Sequence, residues 1–283
     1  MKRFKEILMK AVFLLAACVS IAAVVLICVF LFASGVPAIS EIGIFKFLFG
    51  TQWRPANNLF GIFPMIIGSI YVTAGALIIG VPVGILTAVF MARFCPDRLY
   101  KIMKPAVSLM AGIPSVVYGF FGLVVLVPFV RDHFGERGMS VLTASVLLGL
   151  MILPTIISVS ESAIRAVPSS YYEGGLALGA SHERSVFFTI LPAAKSGIFA
   201  AVVLGVGRAI GETMAVMMVA GNQPAIPGGI LDGVRTLTTN IVMEMGYSTD
   251  LHRQALIGTA VVLFVFVLII NISFSLIKRR SKQ

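Results

Sequence analysis

The sequence predicts an all-α polytopic membrane protein with six transmembrane helices, and three observations predict it. Hydrophobic residues make up 58% of the chain and charged residues only 12%, whereas a soluble domain is about a quarter charged. Apolar runs near the roughly 20 residues needed to cross a bilayer recur at about 11–33, 61–91, 106–130, 141–160, 197–221 and 256–277. Lys and Arg are also unevenly placed. With the connections assigned alternately to two sides, 15 fall on one side and 6 on the other, leaving Arg208 inside a span. Positive residues collect on the cytoplasmic side, so both termini are expected there, which requires an even number of spans. The same asymmetry accounts for the net charge of +10 without invoking nucleic acid.

The first run begins "MKRFKEILMKAVFLLAAC", which has the look of a lipoprotein leader. Its apolar part continues to Phe32, longer than the roughly 7–15 residues of a signal peptide, so an uncleaved first span is expected. Cys18, Cys28 and Cys95 have neither disulfide nor metal-ligand spacing and read as small apolar packing residues. The second run is long enough to tilt and contains Pro64 and Pro82, which membrane helices tolerate when neighbours satisfy the freed carbonyls. In the third, Gly112, Pro114 and Gly119 favour packing through small residues over a broken helix lining a path.

Two connections are longer than turns, a cytoplasmic one over 161–194 and an external one over 222–255. The external one holds "GNQPAIPGG" and then the helix-like "TLTTNIVMEM"; Asn222 and Gln223 read as satisfying a helix end. The expected division is 1–60 for the tail, first span and external loop, 61–277 for the membrane domain, and 278–283 for a basic cytoplasmic tail.

The cytoplasmic connection, "SSYYEGGLALGASHERSVFFTILPAAKSG", predicts two short helices bent at Gly179. Ser169 or Ser170 is expected to cap the first and Ser181 the second. Gly179 would supply the left-handed bend. Pro192 would stop the second helix or set the entry into span five. By its residues alone such an exposed pair suits docking into a partner and lying on the membrane surface equally well.

Span five carries "VVLGVGRAIGETMAVMMVAG", an apolar run with Arg208 and Glu212 four residues apart. If the helix is continuous, the two lie about 40° apart on one face and can touch. Each charge disfavours insertion by roughly 2.5–3.5 kcal/mol, and the pairing returns only tenths of that in water. Both groups are therefore expected to face protein or a water-filled path, as a structural salt bridge or as a functional site. Gly205, Gly207 and Gly211 would admit a close neighbour. The chain has no Gly-x-x-x-x-Gly-Lys-Ser/Thr phosphate loop.

The cytoplasmic connection is similar to the coupling loop of ATP-binding-cassette importer permeases. That signature is Glu-Ala-Ala, three residues, Gly, nine residues, Ile, any residue, Leu-Pro. Glu173, Gly179, Leu191 and Pro192 stand at this spacing, with Ala180 beside the glycine. Gly174 and Gly175 replace the alanines and Thr189 the isoleucine; each glycine should loosen the first short helix by up to about 1 kcal/mol. "GTQWRPANNLFGIFPMIIGSIYVT", with Trp53, "AGIPSVVYGFFGLVVLVP" and "GVGRAIGETMAV" resemble the phosphate-specific permeases, the PstC family, and the likeness runs from about residue 45 to the end.

The resemblance implies a type I ABC importer permease fold and one permease subunit of an ATP-driven importer of inorganic phosphate. The setting it implies is a bacterial or archaeal plasma membrane, with this chain forming half of the pathway. The implied partners are a second permease, PstA, two ATPase subunits, PstB, that bind ATP and Mg, and an extracytoplasmic phosphate-binding protein, PstS. No cofactor and no catalysis are expected in this chain. Glu173, Gly174, Gly175, Gly179, Ala180, Leu191 and Pro192 would couple to the ATPase. Arg208 would present a positive charge to phosphate, and Glu212 would hold the arginine when the path is empty. A permease for sulfate or molybdate is the alternative that the span-five motif opposes. An ATP-independent secondary transporter is the one that the coupling-loop spacing opposes.

Overall fold

The computed structural model describes residues 2–134 and 137–280. Helix α1 (Lys2–Ile42) runs well beyond both edges of the expected first span, and a short helix, α2 (Ile44–Phe49), follows it. A two-stranded antiparallel hairpin, β1 (Trp53–Arg54) with β2 (Leu59–Phe60), then leads into α3 (Phe63–Val89). Next come α4 (Asp97–Gly112), α5 (Ser115–Phe121), α6 (Val127–Phe134) and α7 (Val141–Arg165). The connection after α7 carries α8 (Ser169–Ala177) and α9 (His182–Ser185). After it stand α10 (Leu191–Gly211), α11 (Met214–Val219), α12 (Leu237–Met245) and α13 (Asp250–Arg280). Of the basic tail expected at 278–283, residues 281–283 lie outside the described residues.

Six helical stretches are long and apolar enough to cross a membrane. The central one is α7. It has no charged residue before Glu161, and a helix apolar all round is a buried one. Leu147, Leu148, Met151, Ile152 and Ile156 of α7 pack against Val72 and Ala76 of α3 and against Ala209, Ala215, Val216 and Val219 of α10 and α11. Ser140 starts α7 by accepting the Thr143 N–H at 3.2 Å. Helix α1 lies outside this core and meets α13 through small residues. A Cβ at Gly35 would stand 2.7 Å from Val261 Cγ2 and 3.1 Å from Gly258 Cα.

Two spans differ from expectation. The third crosses at Ser115–Phe134, not from residue 106. Ile113 precedes Pro114 and is extended, at φ −70° and ψ 126°, because a residue before proline avoids the helical region. The helix break that the sequence disfavours against small-residue packing is therefore present. It makes α4 a separate amphipathic helix, with Val107 packed near Met91 and Ile157 while Arg98 and Lys101 stay exposed. The Tyr118 hydroxyl bridges the break by donating to Met110 O at 3.0 Å. Only Gly119 serves close packing, since a Cβ there would lie 2.7 Å from Met218 Sδ and 3.0 Å from Ala215 Cα.

The fifth crossing spans His182–Gly211, not 197–221. Pro192 does not stop α9. A π-helical turn over Val186–Ile190 joins α9 to α10, and the widened turn takes up the missing N–H and the ring's clash with the preceding turn.

Candidate functional site

Helix α10 ends at Gly211, where glycine gives up helical stability, and Glu212 is extended at φ −70° and ψ 128°. The continuous helix that would have placed Arg208 and Glu212 on one face is absent, and so is their contact. The Glu212 carboxylate turns forward and accepts the Ala215 N–H at 3.1 Å, covering the start of α11. The groups freed by the break are met locally. Thr213 Oγ1 donates to Gly211 O at 3.2 Å, and Thr238 Oγ1 of α12 donates to Glu212 O at 3.2 Å. An interruption at membrane depth needs such partners, because lipid offers none. A cavity of about 10 Å³ beside Glu212 is lined by Ser69, Thr73 and Thr236, room for a single water.

Arg208 is half-buried, and its Nη1 donates to Thr155 Oγ1 of α7 at 2.9 Å. Thr155 stands about 21 Å along α7 from Val141 and about 15 Å from Arg165 at 1.5 Å per residue, so this arginine lies near mid-membrane. Gly205 packs on Ile156, with a Cβ there 3.0 Å from it, but Gly207 and Gly211 are exposed with nothing within 4 Å of a Cβ. Among the described residues they receive no neighbour, and the flank of α10 beside Arg208 is open.

In the connection after α7, α8 ends in a Schellman motif. Gly179 has φ +82°, the Gly179 N–H donates to Leu176 O at 2.9 Å, and the Ala180 N–H donates to Gly175 O at 3.1 Å. Ser181 caps α9 through the Arg184 N–H at 3.3 Å. Neither Ser169 nor Ser170 caps α8; the capping position is Pro168, whose ring fixes the entry without a side-chain bond. The two glycines after Glu173 differ. Gly174 is open, while a Cβ at Gly175 would stand 2.7 Å from Ser185 Oγ, so α8 and α9 touch there. Glu173, Gly174 and Pro192 are exposed, Leu191 is half-buried, and Leu178 at the bend is 91% exposed with Phe188 close behind at 77%. Leu178 and Phe188 are thus apolar side chains left uncovered by this chain's described residues.

Two buried charge clusters were not anticipated from the sequence. Glu161 of α7, 1% exposed, accepts from Lys104 Nζ at 2.6 Å, Tyr100 Oη at 2.6 Å and Arg165 Nε at 2.8 Å. The bond to Glu161 holds the Tyr100 hydroxyl above its usual titration range. Arg93 donates to Ile164 O at 2.9 Å and Arg165 to Met91 O at 2.7 Å, tying span two to span four just before the connection that carries α8 and α9. On the other side Glu244 accepts from Arg235 Nη1 at 2.6 Å and Trp53 Nε1 at 2.8 Å, with His252 Nε2 at 2.9 Å. This joins the hairpin, α12 and α13. Among the described residues no cluster of His, Cys, Asp and Glu could hold a metal ion.

The family profile described as "Binding-protein-dependent transport system inner membrane component" matches residues 80–283. The chain is 39% identical to the probable ABC transporter permease protein YqgH of Bacillus subtilis, over 90% of this chain and 86% of that one. It is 33% identical to the phosphate transport system permease protein PstC of Mesorhizobium japonicum, over 85% of this chain and 80% of that one. It is 32% identical to PstC 1 of Mycobacterium tuberculosis, over 84% and 82%. A solved chain of the MetNI methionine ABC transporter in an inward-facing form shares the fold, with a TM-score of 0.59 at 22% identity over 79% of this chain and 95% of that one.

Proposed function

Because the chain belongs to the family of binding-protein-dependent transport system inner membrane components, we propose that it is the permease subunit of an ATP-driven importer of inorganic phosphate. The observation that carries the substrate is the set of relatives named as phosphate transport permeases, at 30% to 33% identity over most of the chain. The protein is a multi-pass membrane permease of the ABC importer fold. Both termini lie in the cytoplasm, by the distribution of Lys and Arg. A second permease subunit, PstA, completes the pathway on the open flank of α10. A phosphate-binding protein, PstS, delivers the anion from outside. Two PstB subunits hold ATP and Mg and hydrolyse the nucleotide. The bend at Gly179, with Glu173 and the exposed Leu178 around it, docks on one of them.

Arg208 is the group on the route that meets phosphate. Its planar fork of N–H donors matches two phosphate oxygens at once. Glu212 stands four residues after Arg208 in the chain and supplies negative charge near the anion. A pathway must bind well enough to admit an ion and weakly enough to release it. The acidic neighbour serves the second requirement.

The test is radiolabelled phosphate uptake by the reconstituted complex, with and without ATP, and with sulfate and molybdate as competitors. Uptake should require ATP and resist tenfold excesses of either competitor at about the phosphate half-saturation level. Arg208→Gln should lower uptake at least about tenfold with assembly intact, the scale of one lost charge-assisted hydrogen bond. Normal uptake by that assembled variant refutes the site.

A further inference from the structure

We propose that Thr155 is the positioning residue of the transport site, holding Arg208 in place of the glutamate that the sequence offers. This rests on the reading of Arg208 given above. The Thr155 hydroxyl oxygen accepts one guanidinium N–H at 2.9 Å, and no other hydrogen bond or ion pair of Arg208 forms among the described residues. A guanidinium has five N–H donors, so four remain for an anion on the open flank next to Gly207 and Gly211. Thr155 itself is fixed. It follows Pro154 on α7, and Pro154, Ile156 and Ile157 around it are all buried. The bond crosses between helices, so it sets where the arginine stands relative to the core, which an in-helix partner cannot do.

The chemistry favours threonine over a carboxylate in this role. A carboxylate partner would neutralise the charge and compete with the incoming anion. A hydroxyl holds the guanidinium by one neutral acceptor and leaves the full positive charge for the substrate. The hydroxyl proton also has no acceptor among the described residues, so Thr155 can donate to a phosphate oxygen when one arrives beside Arg208. Arginine and threonine together then present N–H and O–H donors from two helices to one oxyanion.

The experiment compares Thr155→Val, Thr155→Ser and Arg208→Gln in the complete complex. The readouts are phosphate uptake, subunit assembly, and ATP hydrolysis stimulated by the loaded binding protein. Thr155→Val should lower maximal uptake about tenfold, the effect of losing a hydrogen bond to a charged group, with assembly and stimulated hydrolysis kept. Thr155→Ser, which keeps the hydroxyl, should restore uptake to within about twofold of the parent. Unchanged uptake in Thr155→Val overturns the proposal, as does a serine variant that is no better than valine. A purely structural role would lower assembly and hydrolysis together with uptake, and that result also overturns it. Loss of assembly counts as that structural result only when Thr155→Ala shows it too; where only the valine complex fails to assemble, Thr155→Ala carries the comparison. Normal transport by Arg208→Gln removes the site reading itself. Failure of Arg208→Gln beside normal Thr155→Val transport removes only this inference.

Discussion

At the scale of single residues, the two buried carboxylates, Glu161 and Glu244, each sit among several donors. Glu244 is 8% exposed and Arg235 12%, and breaking a buried pair strands the remaining charge at a cost of about 3–5 kcal/mol. Arg235→Met should therefore lower the stability of the detergent-solubilised protein by about 3 kcal/mol, read by thermal unfolding. Lys46→Met, on an exposed side chain, should change it by less than about 0.5 kcal/mol. Equal effects would mean that the Arg235–Glu244 bond adds nothing. Trp53 is legible in the sequence as the lone tryptophan of its segment. Its bond to Glu244 is not, because 191 residues separate the two. The same holds for Arg208, whose charge is plain in the sequence and whose partner Thr155 is 53 residues away.

At the scale of elements, the breaks decide more than the helices do. The Schellman end of α8 turns on Gly179 at φ +82°, where a side chain costs about 1–2 kcal/mol. Gly179→Ala should keep assembly and slow coupled uptake several-fold, since the strain falls on a bend that no core contact supports. Glu173→Lys should uncouple more strongly by reversing charge on the exposed docking face, with ATP hydrolysis in the complex as the second readout. If both variants couple normally, this loop does not dock as proposed. The bend at Gly179 was readable because glycine and a capping serine act locally. The break after Gly211 was not, because "GVGRAIGETMAV" has helical apolar periodicity throughout. Its helix stops there because Glu212, Thr213 and Thr238 together satisfy the freed backbone groups.

At the scale of the whole molecule, topology is a question of which face meets which solvent. Ala56→Cys on the hairpin and Asp97→Cys at the start of α4 are exposed positions on opposite sides of the second crossing. With Cys18, Cys28 and Cys95 removed, an impermeant thiol reagent should label the first only from outside and the second only from inside. The reverse pattern would invert the orientation. By itself the sequence determined the membrane class, six crossings, the bend at Gly179 and the candidate arginine. Each of these follows from composition, periodicity or residues close in the chain. Only the tertiary structure decided where spans three and five begin and end, that Glu212 caps a helix instead of pairing with Arg208, and that Thr155 receives the guanidinium. It also decided that Glu161 and Glu244 each gather partners from distant helices. A buried charge is stable only with donors brought to it by packing, and packing is a property of helix faces that a linear pattern does not specify.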